Sequence, residues 1–290
     1  MTAASDALAT PAGLTDDWQD WLAGNIVRGC TDADMLAVMT GNGFDAAYAR
    51  VAIAVVRSMT ERVQRTQPHF IDPYMADAPR WQSACTLPDE PVPRLVTSVV
   101  DPNIAVIENL LTAGECERLI ALSAGKLERS RVVDMDGRLA VSGVRTSDGT
   151  HFARGENELV SNLEARIEAW TGIPVEQGEP LQILHYGIGG EYLPHHDWFD
   201  PARPENGDVL AQGGQRIATM VIYLNAVTAG GETVFPNLGL SVHPRPGAAV
   251  YFEYRNATGR LDERLLHAGR PVSDGEKWIA TKWLRQSRYG

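Results

Sequence analysis

Three apolar stripes at helical spacing open the chain. Trp18, Trp21, Leu22 and Ile26 recur on one face until Gly29 ends the run. Thr31-Asp32 starts a second stretch with Met35, Leu36 and Met39 on one side, closed by Gly41-Asn42-Gly43. A third runs from Asp45 through Ala52, Val55 and Val56 to about Met59. The spacing predicts three short helices that share a small core, a helical bundle within residues 1–63 suited to a protein contact or to dimerisation. Over 64–95 the period vanishes. Pro68, Pro73, Pro79, Pro88, Pro91 and Pro93 punctuate that stretch, which predicts an extended linker.

From 96 to 290 the pattern changes. Thr112-Ala113-Gly114-Glu115 is a capping box ahead of a helix over Cys116–Ala124. Glu156–Thr171 carries Leu159, Leu163, Ile167 and Trp170 on one face. Beyond it come apolar or alternating runs: Leu181–Tyr186, Gln215–Asn225, Glu232–Phe235, Ala248–Tyr254, Glu263–Ala268 and Lys277–Arg285. Gly and Pro clusters separate them, which predicts many short strands in a sandwich or jelly roll. Helices precede strands, so the fold class is α+β rather than a wound βαβ sheet. Gly-Ile-Gly-Gly at 187–190 has no helix after it and reads as a turn, not a phosphate cradle.

Composition narrows the function classes. Hydrophobic residues make up 44% and charged residues 22% of 290, an ordinary globular profile. Lys plus Arg number 26 against 37 Asp plus Glu, a net charge of −11, which argues against a broad nucleic-acid face. Three scattered cysteines, Cys30, Cys85 and Cys116, exclude a disulfide framework and fit a reducing compartment. Met1–Leu14 lacks the basic cluster and apolar run of a signal peptide. No apolar stretch approaches the ~20 residues that span a bilayer. A cytoplasmic address without membrane or nucleic-acid partners is the expectation.

The chemistry concentrates in Tyr192-Leu193-Pro194-His195-His196-Asp197. Extended chain turns positions i and i+2 to one side, so His195 and Asp197 face one ion together while His196 faces away. One imidazole and one carboxylate are two ligands of a facial triad, the arrangement of non-haem Fe(II) oxygenases. His243, beside Pro244 at a turn, and His267, at the end of an apolar strand, are the downstream candidates for the third; His267 is better placed. Lys277 lies ten residues further on, at the start of a strand, where a fixed cation would meet the distal carboxylate of 2-oxoglutarate. A zinc hydrolase would have no use for that lysine.

The chain resembles the prolyl 4-hydroxylases of the Fe(II)/2-oxoglutarate class. The resemblance rests on Leu181–Gly187, Tyr192-x-Pro194-His195-x-Asp197, Gln215-Arg216, Tyr223-Leu224-Asn225 and Gly230-Gly231-Glu232-Thr233-x-Phe235-Pro236. It continues through His267-Ala268-Gly269, Gly275-x-Lys277-Trp278 and Lys282-Trp283. It implies a double-stranded β-helix with flanking helices. It implies iron held by His195, Asp197 and His267, and 2-oxoglutarate held by Lys277 with Tyr186 and Thr233. Tyr192, Arg216 and Trp283 correspond to substrate-pocket positions. Arg216 either bonds a substrate carbonyl or closes an internal salt bridge, and Trp283 either stacks on a pyrrolidine ring or fills core. Val144–Ser147 and Gly149-Thr150 resemble the family's peptide-contacting loop. Where animal and algal members have a histidine two residues after the tryptophan, this chain has Arg285.

The implied reaction uses Fe(II), 2-oxoglutarate and O₂, with ascorbate as reductant. The implied substrate is a proline-containing peptide or protein. A free amino or imino acid, or a non-catalytic binding role on the same barrel, stands as the alternative. Phe199–Gly214 reads as a loop over the mouth.

Overall fold

Alternation along two central strands explains how the chain is layered. In Arg216–Tyr223, Ala218, Met220 and Ile222 point into one apolar core, while Thr219, Val221 and Tyr223 point to the opposite face. In Lys277–Arg285, Trp278, Ala280 and Leu284 join the same core, and Lys277, Ile279, Thr281 and Trp283 take the other face. Both faces are buried, which is why these strands read as near-continuous apolar runs.

The computed structural model describes residues 13–66, 91–129, 131–133, 139–141, 145–254 and 259–290. They divide into two compact units, one within Met1–Phe70 and Arg255–Leu261, the other within Ile71–Tyr254 and Asp262–Gly290.

The first unit contains helices Asp16–Val27, Asp32–Gly41 and Ala46–Thr66. Leu22, Ile26, Met35, Met39, Ala52, Ile53 and Val56 bury together, with Trp18, Trp21, Phe44 and Tyr48 against them. Arg260 belongs to this unit and pairs with Asp16 at 2.5 Å and Asp20 at 2.8 Å.

The second unit has an eight-stranded antiparallel sheet. Its order is Arg94–Val99, Ile104–Glu108, Ala249–Glu253, Arg216–Tyr223, Lys277–Arg285, Leu181–Tyr186, Asp148–Phe152 and Glu128–Arg129. A four-stranded sheet runs Leu240–Val242, Thr233–Phe235, His267–Gly269, Tyr192–His195. Together they make the jelly-roll core. Helices Ala113–Ala124 and Glu158–Thr171 cover the outer face of the larger sheet through Cys116, Leu119, Leu159, Leu163, Ile167 and Trp170. Thr112 and Glu115 form the expected capping box, and Arg166 binds the same glutamate at 2.8 Å.

Several expectations change in detail. The third helix runs on to Thr66 and a strand begins at Arg94, so both ends of the 64–95 linker are regular structure; residues 67–90 lie outside the described residues. Glu263–Ala268 is not one strand: Asp262 accepts from Arg264 N and caps a 3-10 turn over Glu263–Leu265, after which His267–Gly269 pairs. The 199–214 loop holds a 3-10 turn, Pro204–Asn206, and a short helix, Gly207–Ala211.

Lys282 sits between the sheet and the helix Glu158–Thr171, where it meets Glu164 at 2.5 Å with both side chains buried. Removing one partner strands a charge in the core. Lys282→Ala should therefore lose about 3–5 kcal/mol in urea unfolding, whereas Lys282→Met combined with Glu164→Leu should lose far less.

Candidate active site

Two of the three expected ligands are cross-strand partners. His195 and His267 face each other in the smaller sheet, and Asp197 follows His195 by two residues. Their ligand atoms all lie within 4.8 Å of one another. Asp197 stands 3.5 Å from each Nε2, through Oδ1 to His195 and Oδ2 to His267.

Backbone carbonyls set the tautomers. His195 Nδ1 donates to Leu193 O at 2.9 Å and His267 Nδ1 donates to Leu265 O at 3.0 Å. A carbonyl only accepts, so each neutral ring carries its proton on Nδ1 and aims an Nε2 lone pair at the centre. Rings fix the imidazoles: Tyr192 stacks on His195 with centroids 3.5 Å apart, and Phe252 lies 4.7 Å from His267. Burial, then the neighbouring His267, push the His195 imidazole below its ordinary range. Burial opposes ionisation of Asp197, but the positive charge and N–H bonds that the imidazoles offer when protonated, His267 first, outweigh it and hold the carboxyl well below the usual carboxylate range. Two imidazole nitrogens and an ionised carboxylate, gathered at one point, fit a divalent transition metal.

Sequence reasoning missed two residues at this carboxylate. Thr219 Oγ1 and Tyr254 OH each donate to Asp197 Oδ2 at 2.9 Å, and the two hydroxyls also contact each other. Burial and then the Asp197 charge raise the Tyr254 phenol well above its usual pKa, which keeps it a donor. Oδ2 is thus occupied and Oδ1 remains for a ligand bond. A threonine sharing a face with Val221 and Tyr223 was the available signal.

The same cavity, about 430 Å³ with its open mouth included, holds Lys277, Tyr186, Thr233, Tyr192 and Trp283. Eight of the nine expected residues line it. Lys277 pairs across strands with Tyr186. Its ammonium is buried and makes no hydrogen bond or ion pair among the described residues; the rings of Tyr186 and Tyr223 lie 5.6 and 6.0 Å away. Burial drops its pKa to about 8, against a smaller upward pull from Glu232. Thr233 accepts from Tyr223 OH at 2.8 Å, which leaves its own proton to donate. Gly230 and Gly231 have φ of 76° and 72°, and a Cβ on Gly231 would sit 3.3 Å from Lys277 Cδ. Glycine there lets the chain turn past the lysine and present Thr233. A buried cation with no partner, beside a free hydroxyl proton, fits a carboxylate.

Arg216 is the exception. It does not line the cavity: its Nε and Nη2 donate to Glu179 at 2.7 and 2.9 Å, and its Nη1 donates to the Asp197 carbonyl at 3.0 Å. Of the two roles open to it, the internal salt bridge is the one formed, because a buried guanidinium needs a counter-charge. Its guanidinium carbon lies over the Trp283 ring, 3.9 Å from the centroid. His243 is exposed beside Glu232, and His185 and His196 bind Glu276 and the Glu263 carbonyl, away from the ligand cluster.

Residues 181–285 match the profile of the 2OG-Fe(II) oxygenase superfamily. Probable prolyl 4-hydroxylase 10 of Arabidopsis thaliana is 43% identical over 210 residues, 65% of this chain and 71% of that protein. Probable prolyl 4-hydroxylase 6 of the same plant is 41% identical over 209 residues, with the same two coverages. The 2OG complex of the viral collagen prolyl hydroxylase from Paramecium Bursaria Chlorella virus-1 is 29% identical and superposes with a TM-score of 0.50. It covers 63% of this chain and 95% of that chain.

Two measurements follow from the geometry. Tyr254→Phe should weaken Mn(II) about tenfold or more in an EPR titration of the free ion, with the thermal midpoint little changed. For Lys277 only the ammonium form pairs with a carboxylate, so the affinity that draws on it is full well below pH 8 and declines as the pH rises through that value. Calorimetric affinity for 2-oxoglutarate should then fall about tenfold per pH unit above that value. In Lys277→Met the affinity should be low at every pH and the slope absent.

Proposed function

Because this chain belongs to the prolyl 4-hydroxylases of the 2OG-Fe(II) oxygenase superfamily, we propose that it hydroxylates a prolyl residue within a peptide or protein. His195, Asp197 and His267 would hold the iron. The bound iron and 2-oxoglutarate supply dioxygen activation, one oxygen atom entering the substrate C–H bond and the other the succinate formed as CO₂ leaves. The carrying observation is the unpaired Lys277 ammonium in the same cavity as the ligand triad. Lys277 takes the far carboxylate of 2-oxoglutarate, and Thr233, oriented by Tyr223, donates a second hydrogen bond to it. Tyr186 stands across the strand pair from Lys277, its phenol kept protonated by burial. Leu184, Val221 and Ile279 line the cavity with hydrocarbon, which excludes water and strengthens the pairing at Lys277. Ascorbate serves as reductant when turnover uncouples.

A peptide is favoured over a free imino acid by the chain beside the mouth. Arg145 bridges to Tyr192, with its guanidinium 5.3 Å from that ring, and Thr146 exchanges hydrogen bonds with the Glu191 backbone. This fastens next to Tyr192 the stretch whose sequence resembles a peptide-contacting loop. The N-terminal helices, with Val38 and Val51 exposed, serve a protein contact or self-association in this reading.

The test supplies Fe(II), 2-oxoglutarate, O₂ and either proline-containing peptides or free proline, and reads a one-oxygen mass gain beside succinate release. Peptide oxidation that vanishes in Asp197→Ala is expected. A gain on free proline alone, or succinate formation that survives Asp197→Ala, overturns the reading.

A further inference from the structure

The stretch Phe199–Gln215 begins two residues after Asp197 and returns into Arg216. Gln215 closes its base, accepting from Phe199 N at 2.9 Å and donating to Phe199 O at 2.6 Å. Arg285 grips it from the other side. This arginine is 1% exposed, and its Nη1 donates to Gly214 O at 2.6 Å and its Nη2 to Val209 O at 3.3 Å. Its guanidinium lies 5.1 Å from the Phe199 ring centroid.

The third side of the same guanidinium faces Glu179. Nε lies 2.7 Å from Oε1, a contact of charges whose angle makes no hydrogen bond. That oxygen already accepts from Arg216 Nε at 2.7 Å. Two guanidiniums therefore share one buried carboxylate and one aromatic ring, since Arg216 also lies 4.7 Å from Phe199. Burying a second arginine against a carboxylate already matched is a poor way to gain stability. A planar guanidinium, however, holds its donors in a rigid fork that serves two carbonyls while facing a carboxylate.

We propose that Arg285 is a positioning residue for the substrate end of the cavity. It holds Glu179 opposite Arg216 and anchors the carbonyls of Val209 and Gly214. Arg216 is thereby kept over the ring of Trp283, a residue of the cavity wall, and the chain after Asp197 is kept in place. Its kinetic consequence rests on the hydroxylase reading; the anchoring itself does not.

The test compares wild type with Arg285→Met and Arg285→Lys. In the metal-free protein, amide exchange over 207–215 should accelerate about tenfold in both variants, while exchange over 277–282 stays put. In turnover with a proline peptide, KM for the peptide should rise about fivefold or more, with KM for 2-oxoglutarate and uncoupled succinate release held within about twofold. Lysine keeps the charge but lacks the fork, so it fails to rescue, and it decides the matter should Arg285→Met not fold. Unchanged exchange over 207–215, or a lower thermal midpoint with peptide KM unmoved, overturns the proposal. A wild type inactive on every proline peptide sinks the hydroxylase reading and leaves the exchange result to judge the anchor.

Discussion

Charge held away from water without a protein counter-ion is the constraint around which this fold is arranged. Lys277 sits in the cavity with no hydrogen bond or ion pair to its ammonium among the described residues, and the rings of Tyr186 and Tyr223 lie 5.6 and 6.0 Å away. Desolvation of that kind is destabilising by itself. The chain tolerates it because Lys277 is embedded in a strand that pairs on both sides, with Leu181–Tyr186 and with Arg216–Tyr223. While protonated, a lysine fixed in a strand stands ready for an anion, which is preorganisation achieved by sheet register rather than by a rigid loop.

Asp197 shows the opposite solution. Its carboxylate is surrounded: an imidazole at each oxygen and two hydroxyls on one of them. The hydroxyls consume the acceptor capacity of Oδ2 and so leave Oδ1 to the ion. The larger sheet supplies Thr219 and, just past its strand, Tyr254, while the smaller one supplies both histidines. The ligands thus come from the smaller sheet and the chain just past it, and closing the jelly roll brings the two hydroxyls of the larger sheet onto their carboxylate.

The jelly-roll core and two of the three ligands were legible because each depends on short-range pattern, whereas His267 rested on its place beside an apolar run and on the family resemblance. His195 and Asp197 are two apart on extended chain, and the strands Leu181–Tyr186 and Lys277–Arg285 have the bounds that their apolar runs predict. Strands such as Arg94–Val99 and Asp148–Phe152 escaped notice because their residues are half-exposed or polar and the larger sheet, not their own composition, holds them extended. Glu179, Arg216 and Arg285 lie far apart in sequence, and no local spacing announces that one carboxylate will serve two guanidiniums. The role of Thr233 depends likewise on Tyr223, ten residues earlier on another sheet.

The pairing of His195 with His267 on a single rung has a wider meaning. In a β ladder, sliding one strand by a single residue turns every side chain on it to the reverse face. A misaligned version of this sheet would point one imidazole outward and could assemble no ligand pair. The capacity to take up metal and the correct closure of these two strands are accordingly one property, so a bound ion certifies the alignment of the chain around it.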